Sequence, residues 1–102
     1  MNVKYKNHSE TLTLYLYGEL DEYSSSNSKK ILDSIILNNV NVKQVIIDLS
    51  GVTFMDSTGI GFLIGRYKTI KKFGVNVYLT GASISTEKVM QLAGLYSIMP
   101  KL

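Results

Sequence analysis

The sequence predicts an α/β domain, with a mixed, mostly parallel sheet of four to five strands packed by amphipathic helices. Three observations carry this. Residues Thr11–Tyr17 alternate strictly, with Leu12, Leu14 and Leu16 on one face and Thr11, Thr13, Tyr15 and Tyr17 on the other, the period of a half-buried strand. Gln44–Leu49, with the apolar run Val45, Ile46, Ile47 and Leu49, reads as a buried strand, and Val75–Leu79 reads as another strand. Between these three segments lie stretches with helical spacing, long enough to bring successive strands side by side in parallel with right-handed connections.

Each element follows in order. Val3–Lys6 is a first strand, and the polar Asn7–Glu10 turns it into Thr11–Tyr17 as an antiparallel hairpin. Gly18-Glu19-Leu20-Asp21 then turns the chain into a helix over Tyr23–Asn38, with Ile31, Leu32, Ile35 and Ile36 as its apolar stripe. Ser24 to Ser28 form its first turns, with Asp21 or a serine as the cap. After the strand Gln44–Leu49, a second helix follows Asp56. Its apolar positions Ile60, Leu63, Ile64, Tyr67 and Ile70 make a core stripe, and Arg66, Lys68, Lys71 and Lys72 lie mainly away from it. Gly74 closes that helix and Val75–Leu79 is the next strand. A short helix capped by Ser83 or Ser85 runs to Gly94. Leu95–Met99 is then expected as a last edge strand, with Pro100 stopping further pairing.

Composition narrows the function classes. A chain of 102 residues, 45% hydrophobic and 19% charged, is one ordinary globular domain spanning residues 1–102. It has no cysteine and one histidine, His8, so a thiolate metal site, a cysteine nucleophile or a Ser-His-Asp triad within one chain cannot be assembled. No acid/base constellation stands out, and the expectation is a protein that is not an enzyme and needs no cofactor and no metal. No run approaches the roughly 20 apolar residues of a membrane span. The first residues, Met1 to Lys6, lack the apolar segment of a signal peptide, so a cytoplasmic protein without a membrane partner is expected. The net charge of +3 is mild, and its basic residues are spread out apart from those on the second helix. They read as a solvated or protein-facing surface, not a nucleic-acid contact, for no zinc-finger, RNP or helix-turn-helix pattern accompanies them.

The most informative stretch is Asp48 to Gly59, which sets Ser57 and Thr58 where a buried strand meets a helix. A hydroxyl there faces free backbone N–H groups and the positive end of the helix dipole, so an added phosphate would find donors. Asp56 or Ser57 as a plain helix cap is the competing, and compatible, reading. Gly59, Gly61 and Gly65 each cost ~1 kcal/mol relative to alanine inside a helix. They serve either close packing on the sheet or a bare face for a docking protein. Their spacing matches neither a P-loop nor a dinucleotide-binding fingerprint. Phe62, off the core stripe and beside Gly65, is expected as an exposed interface anchor.

Met55-Asp56-Ser57-Thr58-Gly59-Ile60-Gly61, continuing into Gly65-Arg66-Tyr67-Lys68, resembles the signature of STAS-domain anti-sigma factor antagonists, most of all those of sporulation. Gly18-Glu19-Leu20-Asp21 and Gly94-Leu95 resemble two further motifs of that family, and the likeness spans roughly residues 3–99. It implies a single STAS-like domain. It also implies a function in transcription regulation. The unphosphorylated protein binds an anti-sigma factor that is also a serine kinase, releasing the sigma factor. That kinase phosphorylates Ser57, and a serine phosphatase resets the switch. The partner surface implied by the resemblance and the glycine pattern comprises Asp21, Asp56, Ser57, Thr58, Gly61, Phe62 and Gly65. The alternative implied by the same likeness is an accessory subunit of a transport system.

Overall fold

The computed structural model describes residues 1–102, and it is an α/β domain with one four-stranded sheet. Strands β1 (Asn2–His8), β2 (Thr11–Leu20), β3 (Gln44–Met55) and β4 (Asn76–Thr80) lie in that order across the sheet. The β1–β2 hairpin is antiparallel, turned by Ser9 and Glu10 with positive φ. The β2–β3 and β3–β4 pairs are parallel. Helices α1 (Glu22–Leu37) and α2 (Ser57–Lys71) are the two crossovers. A shorter α3 (Ile84–Leu92) follows β4 and leans on β3.

The alternation in β2 does what its period dictates. Leu12, Leu14 and Leu16 are fully buried, and the registers Leu12↔Val45↔Val77 and Leu14↔Ile47↔Leu79 set apolar side chains of three strands on one face. Leu32 and Ile36 of α1 and Ile60, Leu63 and Ile70 of α2 join that core. Ile64 and Tyr67 are half-buried at its margin.

Several boundaries move, each for a physical reason. Gly18-Glu19-Leu20 is strand, not turn, and β3 continues six residues past Leu49 to Met55. β2 advances from Tyr15 to Tyr17 while β3 advances from Asp48 to Gly51, and again from Gly18 to Glu19 while β3 goes from Val52 to Phe54. Each step puts one extra residue in β3. Such bulges break the two-residue alternation by which a strand is recognised, although the pairing goes on. Asp48 Oδ1 braces the first bulge, accepting from the amide (2.9 Å) and the hydroxyl (2.6 Å) of Ser50.

The stripe of α1 is Ser25, Ser28, Leu32 and Ile36, and Ile31 is 58% exposed, contrary to expectation. One residue turns a helix by about 100°, so Ile31 cannot share the stripe of residues 28, 32 and 36. Leu95–Met99 is not an edge strand: Leu95–Ser97 form a 3-10 turn. Leu95 and Met99 are both buried while Ser97 between them is exposed, whereas a strand would set all three on one face, and the Met99 amide donates to the Leu95 carbonyl at 3.0 Å as in a helical turn. Nor does Pro100 stop pairing. Its carbonyl accepts from the Leu79 amide at 3.0 Å, and the Leu102 amide donates to the Leu79 carbonyl at 2.8 Å, so the final residues run parallel beside β4. Proline lacks only the donor.

Candidate functional site

Two adjacent parallel strands deliver two helix N-termini to the same place. The register Leu20↔Met55 ends β2 and β3 side by side, and each chain turns directly into a helix capped by an aspartate. Asp21 caps α1, accepting from the Ser24 amide and hydroxyl, both at 2.9 Å, while the Ser24 hydroxyl is 3.2 Å from the Asp21 amide, which donates to it. Asp56 caps α2, accepting from the Gly59 amide at 2.9 Å. The Ser24 donors, the backbone N–H first, hold the Asp21 carboxyl below the usual carboxylate range.

Ser57 is the first residue of α2 and is exposed. Because the Asp56 side chain takes the Gly59 amide, the amides of Ser57 and Thr58 remain as first-turn donors without an intrahelical acceptor. A phosphoryl group on the Ser57 hydroxyl would therefore meet free N–H groups and the positive helix end. It would also meet the negative charge of Asp56.

Beside this hydroxyl the seam between α1 and α2 opens into two depressions that share Ser26. The first, of about 700 Å³, is acidic, with Asp21, Glu22 and Asp56 among its walls. The second, of about 410 Å³, runs along the helices and has Thr58, Gly61 and Gly65 on the α2 side. A Cβ built at Gly61 or Gly65 meets nothing within 4 Å, so these glycines leave a bare surface open to solvent. Gly59 is the opposite case. A Cβ there would lie 2.2 Å from the Leu20 carbonyl oxygen, and the absent side chain is what lets α2 start so close to β2. The three glycines thus divide between the two readings, Gly59 to packing and Gly61 and Gly65 to an open face.

Two expectations fail here. Phe62 lines the second depression but is only 8% exposed, so it is no protruding anchor. Arg66 is not on the solvated face: it is 5% exposed and reaches across to α1, its Nε 2.7 Å from Asp33 Oδ1. Its guanidinium stacks over the Phe62 ring at 4.8 Å. The reason for both is that α2 has two neighbours. One face meets the sheet, and the face carrying Phe62 and Arg66, one turn apart, meets α1. Burial drives the Arg66 pKa down and Asp33 partly offsets this. Lys68, Lys71 and Lys72 are exposed as expected. Of the expected site residues, Asp21, Asp56, Thr58, Gly61, Phe62 and Gly65 all border the two depressions, with Ser57 just outside them. Lys29 and the serines at the start of α1 were missed. Their only sequence signal was a run of small polar residues where a helix should bury apolar ones.

With this geometry the chain belongs to the STAS domain family, whose pattern matches residues 2–102. Its STAS fold is a helix-flanked sheet with an open seam at the N-termini of α1 and α2. Its relatives include the anti-sigma F factor antagonist of Paenibacillus polymyxa, 28% identical over 100 residues, with 98% of this chain and 85% of the relative covered. The anti-sigma F factor antagonist of Lysinibacillus sphaericus is 31% identical over 86 residues, covering 84% and 73% respectively. Among solved structures, the anti-sigma factor antagonist SpoIIAA in its unphosphorylated form superposes with a TM-score of 0.78 at 25% identity, covering 99% of this chain and 88% of that one. The phosphorylated form of the Bacillus protein gives 0.69 at the same identity, covering 99% and 91%.

Proposed function

We propose that this STAS domain is a phosphorylation-switched anti-sigma factor antagonist. In its unphosphorylated form it binds an anti-sigma factor that is also a serine kinase, and so frees the sigma factor. The kinase transfers the γ-phosphoryl group of ATP to the Ser57 hydroxyl, ADP leaves, and the complex comes apart. A serine phosphatase restores the binding form. The chain is a binder and a substrate in this cycle, and it performs no catalysis.

The observation that carries the reading is the exposed Ser57 hydroxyl at the first turn of α2, beside a seam left bare at Gly61 and Gly65. It is supported by likeness to a protein whose structure exists in both phosphorylation states. A docking protein covers the hydroxyl and the seam together. A phosphate adds about −1.5 to −2 charges next to Asp56, inside the contact, and that charge is difficult to desolvate. The helix end stabilises the phosphate on the free protein, so the fold persists while the surface becomes more strongly negative.

The test is incubation with the anti-sigma factor kinase of the same organism and ATP. One phosphate per chain is expected, lost in Ser57→Ala and retained in Thr58→Ala. Peptide mass spectrometry placing the phosphate on Thr58 would sink the assignment. Ser57→Asp should bind the kinase much more weakly by calorimetry, and equal binding counts against the switch.

A further inference from the structure

The second depression carries a charge pattern that the switch does not use. Its floor is the side chain of Arg66, nine-tenths buried, and its rim on α1 is Lys29. The Arg66 ion pair is incomplete. Asp33 Oδ1, 2.7 Å from Nε, is the one carboxylate partner of the guanidinium, which makes no further ion pair. A guanidinium has five donors in a planar fork, and with Asp33 at Nε the terminal nitrogens keep donors for a further anion. Lys29 takes part in none of the ion pairs of the fold. Two cations therefore face one carboxylate, and the local balance is +1. The hydroxyls of Ser25, Ser26 and Thr58 edge the same space, and at Gly61 and Gly65 no side chain blocks the approach.

We propose that the depression between Lys29 and Arg66 is a carboxylate-binding subsite that receives an aspartate or glutamate side chain of the anti-sigma factor. This rests on the docking role assigned above. A carboxylate fits better than a phosphate for two reasons. Its two oxygens match the planar fork of an arginine. A dianion would also sit beside the adjoining wall of Asp21, Glu22 and Asp56, which repels it more strongly than a single charge. The seam is then bipolar, acidic at the helix N-termini and basic two to three turns further along. A docking segment is held in one direction and one register by placing a cation at the first end and an anion at the second. Such complementarity contributes more to specificity than to raw affinity.

Lys29 is the place to test this, because it is exposed and its replacement leaves the core intact. The anti-sigma factor is titrated with the wild type, Lys29→Ala, Lys29→Glu and, as a control outside the seam, Lys68→Glu. Lys29→Glu is expected to weaken binding by about tenfold or more through like-charge repulsion. Lys29→Ala should weaken it less and flatten its dependence on salt, and Lys68→Glu should bind as the wild type does. A scan of Asp→Lys and Glu→Lys variants of the partner should yield one that restores binding to Lys29→Glu. Wild-type affinity for Lys29→Glu, or a scan with no compensating variant, would overturn the subsite while leaving the docking role standing. A wild-type chain that does not bind the anti-sigma factor defeats the docking role, and the subsite with it. Inorganic phosphate shifting the NMR signals of Lys29 and Arg66 while Lys29→Glu binds normally would assign the depression to a free anion instead.

Discussion

Glycine has opposite meanings at positions two residues apart. Adding a methyl at Gly59 drives it to 2.2 Å from a backbone oxygen, and backbone cannot move aside cheaply, so Gly59→Ala should destabilise the domain by ~1–3 kcal/mol. At Gly61 and Gly65 the added methyl meets open space, and alanine should stabilise by up to ~1 kcal/mol through helix propensity alone. Gly65→Ala should at the same time weaken binding of the anti-sigma factor. Denaturant melts and a titration separate these outcomes. A destabilised Gly65→Ala that binds normally once folded would return that glycine to a packing role. Asp21 adds a pH dependence. Its folded pKa lies below the ordinary aspartate value near 3.8, so its stabilising effect is full above that value and fades as pH falls through the folded pKa. The stability gap between wild type and Asp21→Asn should therefore be widest at neutral pH and close in acid. A gap that widens in acid contradicts the cap geometry.

At the level of elements, α2 is defined by having to satisfy two neighbours. Leu63 is its deepest contact with the sheet, fully buried, and Leu63→Ala should cost ~2–5 kcal/mol in lost burial and cavity. Arg66 ties α2 to α1. Arg66→Ala should cost ~3 kcal/mol, the lower end for breaking a buried pair, because the Asp33 side chain keeps 26% of its surface in water and rehydrates when left alone. Lys71 makes only an exposed hydrogen bond to Asn76 at 3.1 Å, and Lys71→Ala should stay within ~0.5 kcal/mol. Equilibrium unfolding of the three variants gives the order Leu63 and Arg66 well above Lys71. An Arg66→Ala as mild as Lys71→Ala would mean that the helices do not depend on the pair for their contact.

Across the whole molecule, the final residues close the β4 side of the sheet. Pro100 and Leu102 pair with both backbone groups of Leu79, and Lys101 reaches Glu87 of α3, tying β4, α3 and the end of the chain together. Removing residues 100–102 leaves the Leu79 amide and carbonyl without these partners, at about 0.5–1.5 kcal/mol each. Hydrogen exchange should report this locally, with faster exchange at Leu79 in the truncated protein than in the full chain. Unchanged protection would show the pairing to be unimportant in solution. The Lys101 partner holds the Glu87 carboxyl below its usual range, so this tie persists across neutral pH and weakens only in acid.

Period and punctuation alone determine a good deal of this protein. The alternation of Thr11–Tyr17, the helix start at Asp56 and the crossovers between three strands are local facts, and from them follow the α/β class, the mixed sheet and a hydroxyl at the helix start in Ser57. Motif likeness names the family on the same residues. The tertiary structure alone decides what depends on a neighbour distant in sequence. Arg66 is buried because α1 brings Asp33 to it, and Phe62 is covered for the same reason. Strand β3 runs through two bulges because β2 keeps pairing with it, although the alternation has lapsed. Ile31 is exposed because serines at positions 25 and 28 take the inward face of α1, whose small side chains a hydrophobicity pattern does not count. A helix spacing records that one face is buried. It does not record how many partners share that face, and here the second partner is what turns a charged surface residue into the floor of the seam.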